Sequence, residues 1–186
     1  IMQNASWRFK NLTPKINFIK IKSKDYKEIT IENKYTGASQ IQFTSMISEL
    51  IDMPKRNALI IEIIKHHVLE NRKILVLSDR REHLKNINTL LDNDPFVFFT
   101  YGLFVGQMKL ADLEKSKASS VILATYAAFS EGVSEKDLDT LLLITPKKYI
   151  GHLKNTTKNE SGKLEQIVGR IFRKDHIITH PLIIDL

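Results

Sequence analysis

From residue 73 onward the chain alternates short apolar runs with amphipathic helical segments, and this alternation limits the fold more than any other feature. The run Lys73–Leu77 predicts a buried strand, and Arg81–Leu91 predicts a helix with Leu84, Ile87, Leu90 and Leu91 on one face. Further along, Phe96–Tyr101 is apolar and aromatic, Met108–Lys115 suggests a short helix, and Val121–Thr125 and Thr140–Ile144 suggest strands. Leu164–Phe172 has helical periodicity, and Ile177–Ile184 predicts a last strand. Strands separated by helices require crossover connections, which yield a parallel sheet covered on both faces. The expected class is therefore α/β, doubly wound. Upstream, residues 1–12 are expected to be an interdomain linker and residues 13–186 the domain, with a strand at Lys15–Ile21 and a mobile polar excursion at Lys22–Ser39. Helices are expected over Phe43–Met53 and, with Pro54 in the first turn, to about Glu70.

In such sheets ligands sit beyond the carboxyl ends of the strands. The segments after Leu77, Tyr101, Thr125 and Ile144 are then predicted to share one rim. A net charge of +7 favours a polyanionic partner, because lysine and arginine displace counterions from a phosphate backbone. Zero cysteines exclude a disulfide framework, a thiolate metal site and a cysteine nucleophile. There is no apolar run of the ~18 residues that a membrane span requires, and no signal pattern begins the chain, so no membrane partner is expected.

The sharpest motif is Gln166-Ile167-Val168-Gly169-Arg170-Ile171-Phe172-Arg173. On a helix, Arg170 and Arg173 share a face, Gln166 lies one turn back, and Gly169 removes a side chain where something must approach. Two guanidiniums on a rigid element suit a phosphoryl group, whose charge they neutralise. An amphipathic helix with two solvated arginines is the plainer alternative. The segment resembles the last signature motif of superfamily 2 helicases, Gln-x-x-Gly-Arg-x-x-Arg. Upstream, Ala124 to Val133 resembles the fifth motif, with Thr125 ending a strand and Glu131-Gly132 following. Lys73–Asp79 resembles the fourth motif, and Tyr101–Lys109 the segment between the two. Arg56-Asn57, Leu75 to Arg80 and Gly106-x-Met108-Lys109 are similar to the branch found in poxviruses, asfarviruses and related large DNA viruses, whose poxvirus members are linked to transcript release and DNA unwinding.

The resemblance implies the second, C-terminal RecA-like motor domain of an ATP-dependent helicase, with ATP and Mg²⁺ held mainly by an N-terminal motor domain outside this chain. It implies catalytic roles for Arg170, Arg173 and Gln166, and nucleotide contact around Gly132, Glu131 and Gly169. Nucleic-acid phosphates are expected at Thr125, Ser78, Arg80, Gly102 and Lys109. DNA is the expected partner, with RNA as a further possibility, and the implied location is the host cytoplasm, in its viral factory, or the virion if the chain is viral, and otherwise intracellular and soluble. The family's aspartate after Glu-Gly-Val is Ser134 here, which weakens the expected ribose contact.

Ser161-Gly162-Lys163 lacks the spacing of a phosphate-binding loop, and Asp112-Leu113-Glu114 does not follow an apolar strand. No metal site is expected: His66 and His67 are adjacent and fall on different helix azimuths, and the six histidines are taken as surface residues. Phe96, Phe98 and Phe99 are expected in the core or at a strand edge. The alternative function is a nucleic-acid or protein binding module without its own catalysis.

Overall fold

A computed structural model describes residues 14–21, 27–130, 137–146, 167–172 and 180–186. Six parallel strands form one sheet in the order β1-β8-β7-β4-β6-β5: β1 Lys15–Phe18, β4 Ile74–Ser78, β5 Tyr101–Phe104, β6 Val121–Thr125, β7 Thr140–Leu143 and β8 Leu182–Asp185. The helices are α1 Phe43–Ile51, α2 Pro54–Leu69, α3 Arg81–Asp92, α4 Leu110–Lys117 and α5 Tyr126–Ser130, followed by a helical stretch at 167–171. The doubly wound α/β expectation holds.

Alternation within the strands explains why both faces need cover. Ile74, Val76, Val121, Leu123, Leu142, Ile144, Leu182 and Ile184 face Ile60, Ile61 and Ile64 of α2 and Leu84, Ile87 and Leu91 of α3. Leu75, Leu77, Ile122, Ala124, Leu141, Leu143 and Ile183 face the other way, against Tyr126 and Phe129 of α5 and Ile167 and Ile171. Apolar side chains on both faces favour a central, two-sided sheet over an edge or surface sheet.

Two expectations are corrected. The excursion after β1 contains an antiparallel hairpin, β2 Thr30–Glu32 and β3 Ser39–Ile41. Its turn is built by Asn33, whose Oδ1 accepts the Tyr35 and Thr36 amides, and by Gly37 at φ 64°. A local side-chain acceptor and a left-handed glycine suffice for a turn that lacks apolar periodicity. Second, the fifth strand begins where Phe96–Tyr101 was expected to end. Phe96 is 76% and Phe98 60% exposed, so neither is a core residue, whereas Phe99 packs against the core.

Pro54 opens α2, and the helix closes in a Schellman turn: the Arg72 amide bonds the His67 carbonyl, the Asn71 amide bonds that of Val68, and Asn71 takes φ 58°. No described helix is long and apolar enough to cross a membrane.

Candidate nucleic-acid and nucleotide interface

The strand register aligns the carboxyl rim. Phe104, Ala124, Leu77, Leu143, Asp185 and Phe18 lie in one row across the sheet, and Ser78 and Thr125 pair one step beyond it. Thr125 is thus at the rim as expected. Its Oγ1 accepts the Ala128 amide at 3.2 Å, which caps the first turn of α5 while leaving the hydroxyl proton to give.

At the other end of α5 stands Arg170. Its Nη1 donates to the Phe129 carbonyl at 2.8 Å and its Nη2 to that of Ser130 at 3.4 Å, with the guanidinium 5.0 Å from the centre of the Phe129 ring. These carbonyls are the ones a helix leaves without partners at its last turn. Arg170 is only 7% exposed, so it is not the solvated arginine of an amphipathic helix, and its guanidinium is held against the fold. Ile167 and Ile171 are buried on the sheet side, as the periodicity predicts. Gly169 is exposed, and a Cβ there would meet nothing within 4 Å among the described residues, so their packing gives no reason for a glycine. Gln166, Arg173, Glu131 and Gly132 lie outside the described residues.

Two expected phosphate contacts are corrected. Ser78 is fully buried; its Oγ accepts the Arg80 amide at 3.1 Å and lies 3.3 Å from His83 Nδ1. Gly102 sits in the middle of β5, paired with Ile122, and a Cβ there would come within 2.6 Å of Ser116 Oγ and 2.9 Å of Ser116 Cα. That glycine lets α4 approach the strand. The rim beyond β5 is instead the turn at Gly106 and Gln107, where Gln107 has φ 68°, and Lys109, which is exposed at the start of α4. Arg80 is half-buried at the start of α3, and its Nε is enclosed with no hydrogen-bond partner among the described residues.

Sequence reasoning missed the network beneath this rim. His83, taken as a surface residue, is buried; its Nε2 lies 3.0 Å from Asn57 Oδ1, and Asn57 Nδ2 donates to the Ile51 carbonyl at 2.8 Å. The amide oxygen of Asn57 only accepts, so His83 carries its proton on Nε2 and Nδ1 accepts the Ser78 hydroxyl. Burial, with the nearby charge of Arg56, pushes the imidazole down to about 4. The spacing 83, 87, 91 would have revealed it, since His83 shares a helix face with Ile87 and Leu91. Arg56 is also buried; its Nη2 donates to the Ile144 carbonyl at 2.6 Å and to that of Leu186 at 3.5 Å, joining the ends of β7 and β8. Beside it, Thr145 Oγ1 accepts the Asp79 amide and the Thr145 carbonyl accepts the Tyr126 hydroxyl. Burial raises the Tyr126 hydroxyl, helped by Asp79 and Asp185, so it stays a donor.

No family model matches the chain. A putative ATP-dependent RNA helicase, L396 of Acanthamoeba polyphaga mimivirus, is 33% identical over 143 residues, which cover 77% of this chain and 25% of that protein. The match thus spans about a quarter of the relative's length. Among solved structures, T4 UvsW is similar over 78% of this chain and 28% of its own, at 21% identity and a TM-score of 0.53. The C-terminal part of the Fun30 ATPase domain is similar over 77% of this chain and 46% of its own, at 14% identity and a TM-score of 0.50. The chain has a RecA-like α/β fold and is related in sequence to a putative ATP-dependent RNA helicase of a mimivirus.

Proposed function

We propose that this chain is the second motor domain of a longer, ATP-driven nucleic-acid helicase or translocase, closing on nucleotide bound mainly by a first motor domain and gripping one strand of DNA. The single observation that carries the reading is α5: Thr125, at the rim where phosphates are expected, caps its first turn, and Arg170 caps its last. Five residues span roughly 7 Å at the rise of an α-helix, so a change at one end of this helix is felt at the other. The donor set fits one side of a nucleoside triphosphate only. Arginine forks match phosphate oxygens, while the phosphate-loop lysine and metal-binding carboxylates have no counterpart in the sequence.

In this reading ATP supplies the free energy of its hydrolysis when bound between the two domains. Arg170 and Arg173 neutralise phosphoryl charge, Gln166 lies near the hydrolytic water or the interdomain contact, and Glu131, Gly132 and Gly169 border the nucleotide. Thr125, Arg80 and Lys109 hold nucleic-acid phosphates. DNA is favoured over RNA on the resemblance to viral DNA helicases, and a role in viral transcription or genome processing follows from the same resemblance. The mimivirus relative carries the name of an RNA helicase, so both nucleic acids belong in the test.

That test is nucleic-acid-stimulated ATP hydrolysis by the full-length parent, with DNA and with RNA, comparing wild type with Arg173→Ala and Arg170→Ala. A fall of order 10³ in turnover with strand affinity retained at fixed salt is the expected result. Because Arg170 also caps α5, its variant is melted alongside, and Arg173→Ala is the cleaner arm. Unchanged turnover in both would sink the motor reading. The second reading, a binding module without catalysis, has one observation in its favour: Arg170 is bonded within the fold.

A further inference from the structure

At the end of the sheet opposite the rim, α2 finishes with His66 and His67 in its last turn, and Glu70 follows as its C-cap. Adjacent helical positions do point in different directions, yet the two imidazoles and the Glu70 carboxylate each bring one ligand atom within 4.8 Å of the others. His67 Nδ1 lies 2.9 Å from Glu70 Oε2 and His66 Nε2 lies 3.7 Å from Glu70 Oε1. The reason is spacing: Glu70 lies three residues after His67 and four after His66, so it stands one turn on from both rings.

We propose that His66, His67 and Glu70 form a binding site for a divalent transition-metal ion of the zinc class, independent of the motor reading. Zinc with metal–donor distances of ~2.0–2.1 Å in a tetrahedron sets its donors about 3.3 Å apart, and the separations of His67 from one carboxylate oxygen and of His66 from the other lie either side of that value. Two imidazoles and one carboxylate suit zinc, nickel or cobalt and not the oxygen-seeking Mg²⁺ or Ca²⁺. Three protein ligands leave a fourth position for water.

Three features of the surroundings prepare the site. Arg72 Nε donates to Glu70 Oε2 at 3.0 Å, and Arg72 is itself anchored through Nη1 to Thr140 Oγ1 at 3.3 Å and the His180 carbonyl at 3.0 Å. Ligating carboxylates are commonly oriented this way by an outer hydrogen bond. The Schellman turn with Asn71 at positive φ fixes the backbone on which Glu70 and Arg72 sit. A cation here also lies at a helix C-terminus, the end that attracts positive charge. Through Arg72 the ion would tie the end of α2 to the start of β7 and to the residues before β8.

The experiment uses this chain as it stands. Zn²⁺ is titrated calorimetrically, Co²⁺ is followed by its visible absorption, and thermal melting is recorded with and without Zn²⁺. The proposal expects one equivalent bound, a raised melting temperature, and loss of both effects in His66→Ala and in His67→Ala. His66 is 67% exposed, so its replacement leaves the fold intact and any loss of binding is a loss of ligand. Arg72→Gln is expected to weaken binding by about tenfold or more while retaining stoichiometry. The double variant His66→Ala/His67→Ala still has four histidines. Undiminished Zn²⁺ binding in that variant, or no binding by wild type, overturns the proposal.

Discussion

The two flanks of β4 differ in how their polar groups are used. Toward β7 and β8, the rim is sealed from below: Arg56, Thr145 and Tyr126 bond the strand ends to one another, and Asp79 gives its amide to Thr145. Toward β6 and β5, it is open: Gly106, Gln107 and Lys109 are exposed. A rim position is therefore not sufficient for contact with a ligand. Ser78 ends its strand as Thr125 does, yet its hydroxyl is buried between His83 and the Arg80 amide.

The strongest way to break this contrast is to remove Arg56. Arg56→Met leaves the Ile144 and Leu186 carbonyls without their donor, and Asp185, whose carboxyl is raised by burial and lowered by Arg56, without its nearby cation. A loss of about 3 kcal/mol or more in urea denaturation is expected. A loss below about 1 kcal/mol would mean that this flank is not held from beneath.

The next effect is a pH dependence. Burial keeps His83 neutral, with its imidazole at about 4 in the folded chain against about 6.5 unfolded. The unfolded state therefore binds the proton first. Stability from this residue is complete above pH ~6.5, falls as the pH drops, and is about 2 kcal/mol lower by pH 5. His83→Gln is expected to be less stable at neutral pH and flatter between pH 6.5 and 4. Parallel curves for the two proteins would remove His83 as the cause.

The smallest effect sharpens the contrast on the open flank. Gly102→Ala drives a methyl into Ser116, including its backbone, and is expected to cost about 1–3 kcal/mol without changing the strand affinity of the folded protein. Lys109→Ala is expected to do the reverse, leaving stability alone and reducing the salt slope of binding by about one. Equal strand affinity for Lys109→Ala and wild type would exclude that lysine as a phosphate contact.

How much of this was legible follows from which signals are local. The sheet was legible because buried strands such as Ile74–Ser78 and Val121–Thr125 are continuous apolar runs bounded by helices. The rim position of Thr125 was legible because the apolar run Val121–Thr125 ends on it, but the cap it gives to α5 was not. The start of β5 was not, since the apolar run Phe96–Phe99 precedes the strand and two of its rings are exposed. Ser78, Gly102 and the inward turn of Arg170 depend on what lies across the fold: His83, Ser116 and the end of α5. No periodicity encodes such partners. His66 and His67 failed differently, because they were compared only with each other, whereas Glu70 is three and four residues on and neighbours both.

The hold on Arg170 sets a threshold for anything that would recruit it. Drawing the guanidinium away uncovers the Phe129 and Ser130 carbonyls and forfeits its seat over the Phe129 ring. The buried Phe129 carbonyl left unmet costs about 1–3 kcal/mol, the half-buried Ser130 carbonyl less, so a weak or singly charged anion would gain too little to extract it. In the proposed reading, a ligand with several closely spaced negative charges would clear that threshold, so the same contact that supports the fold would also select on ligand valence.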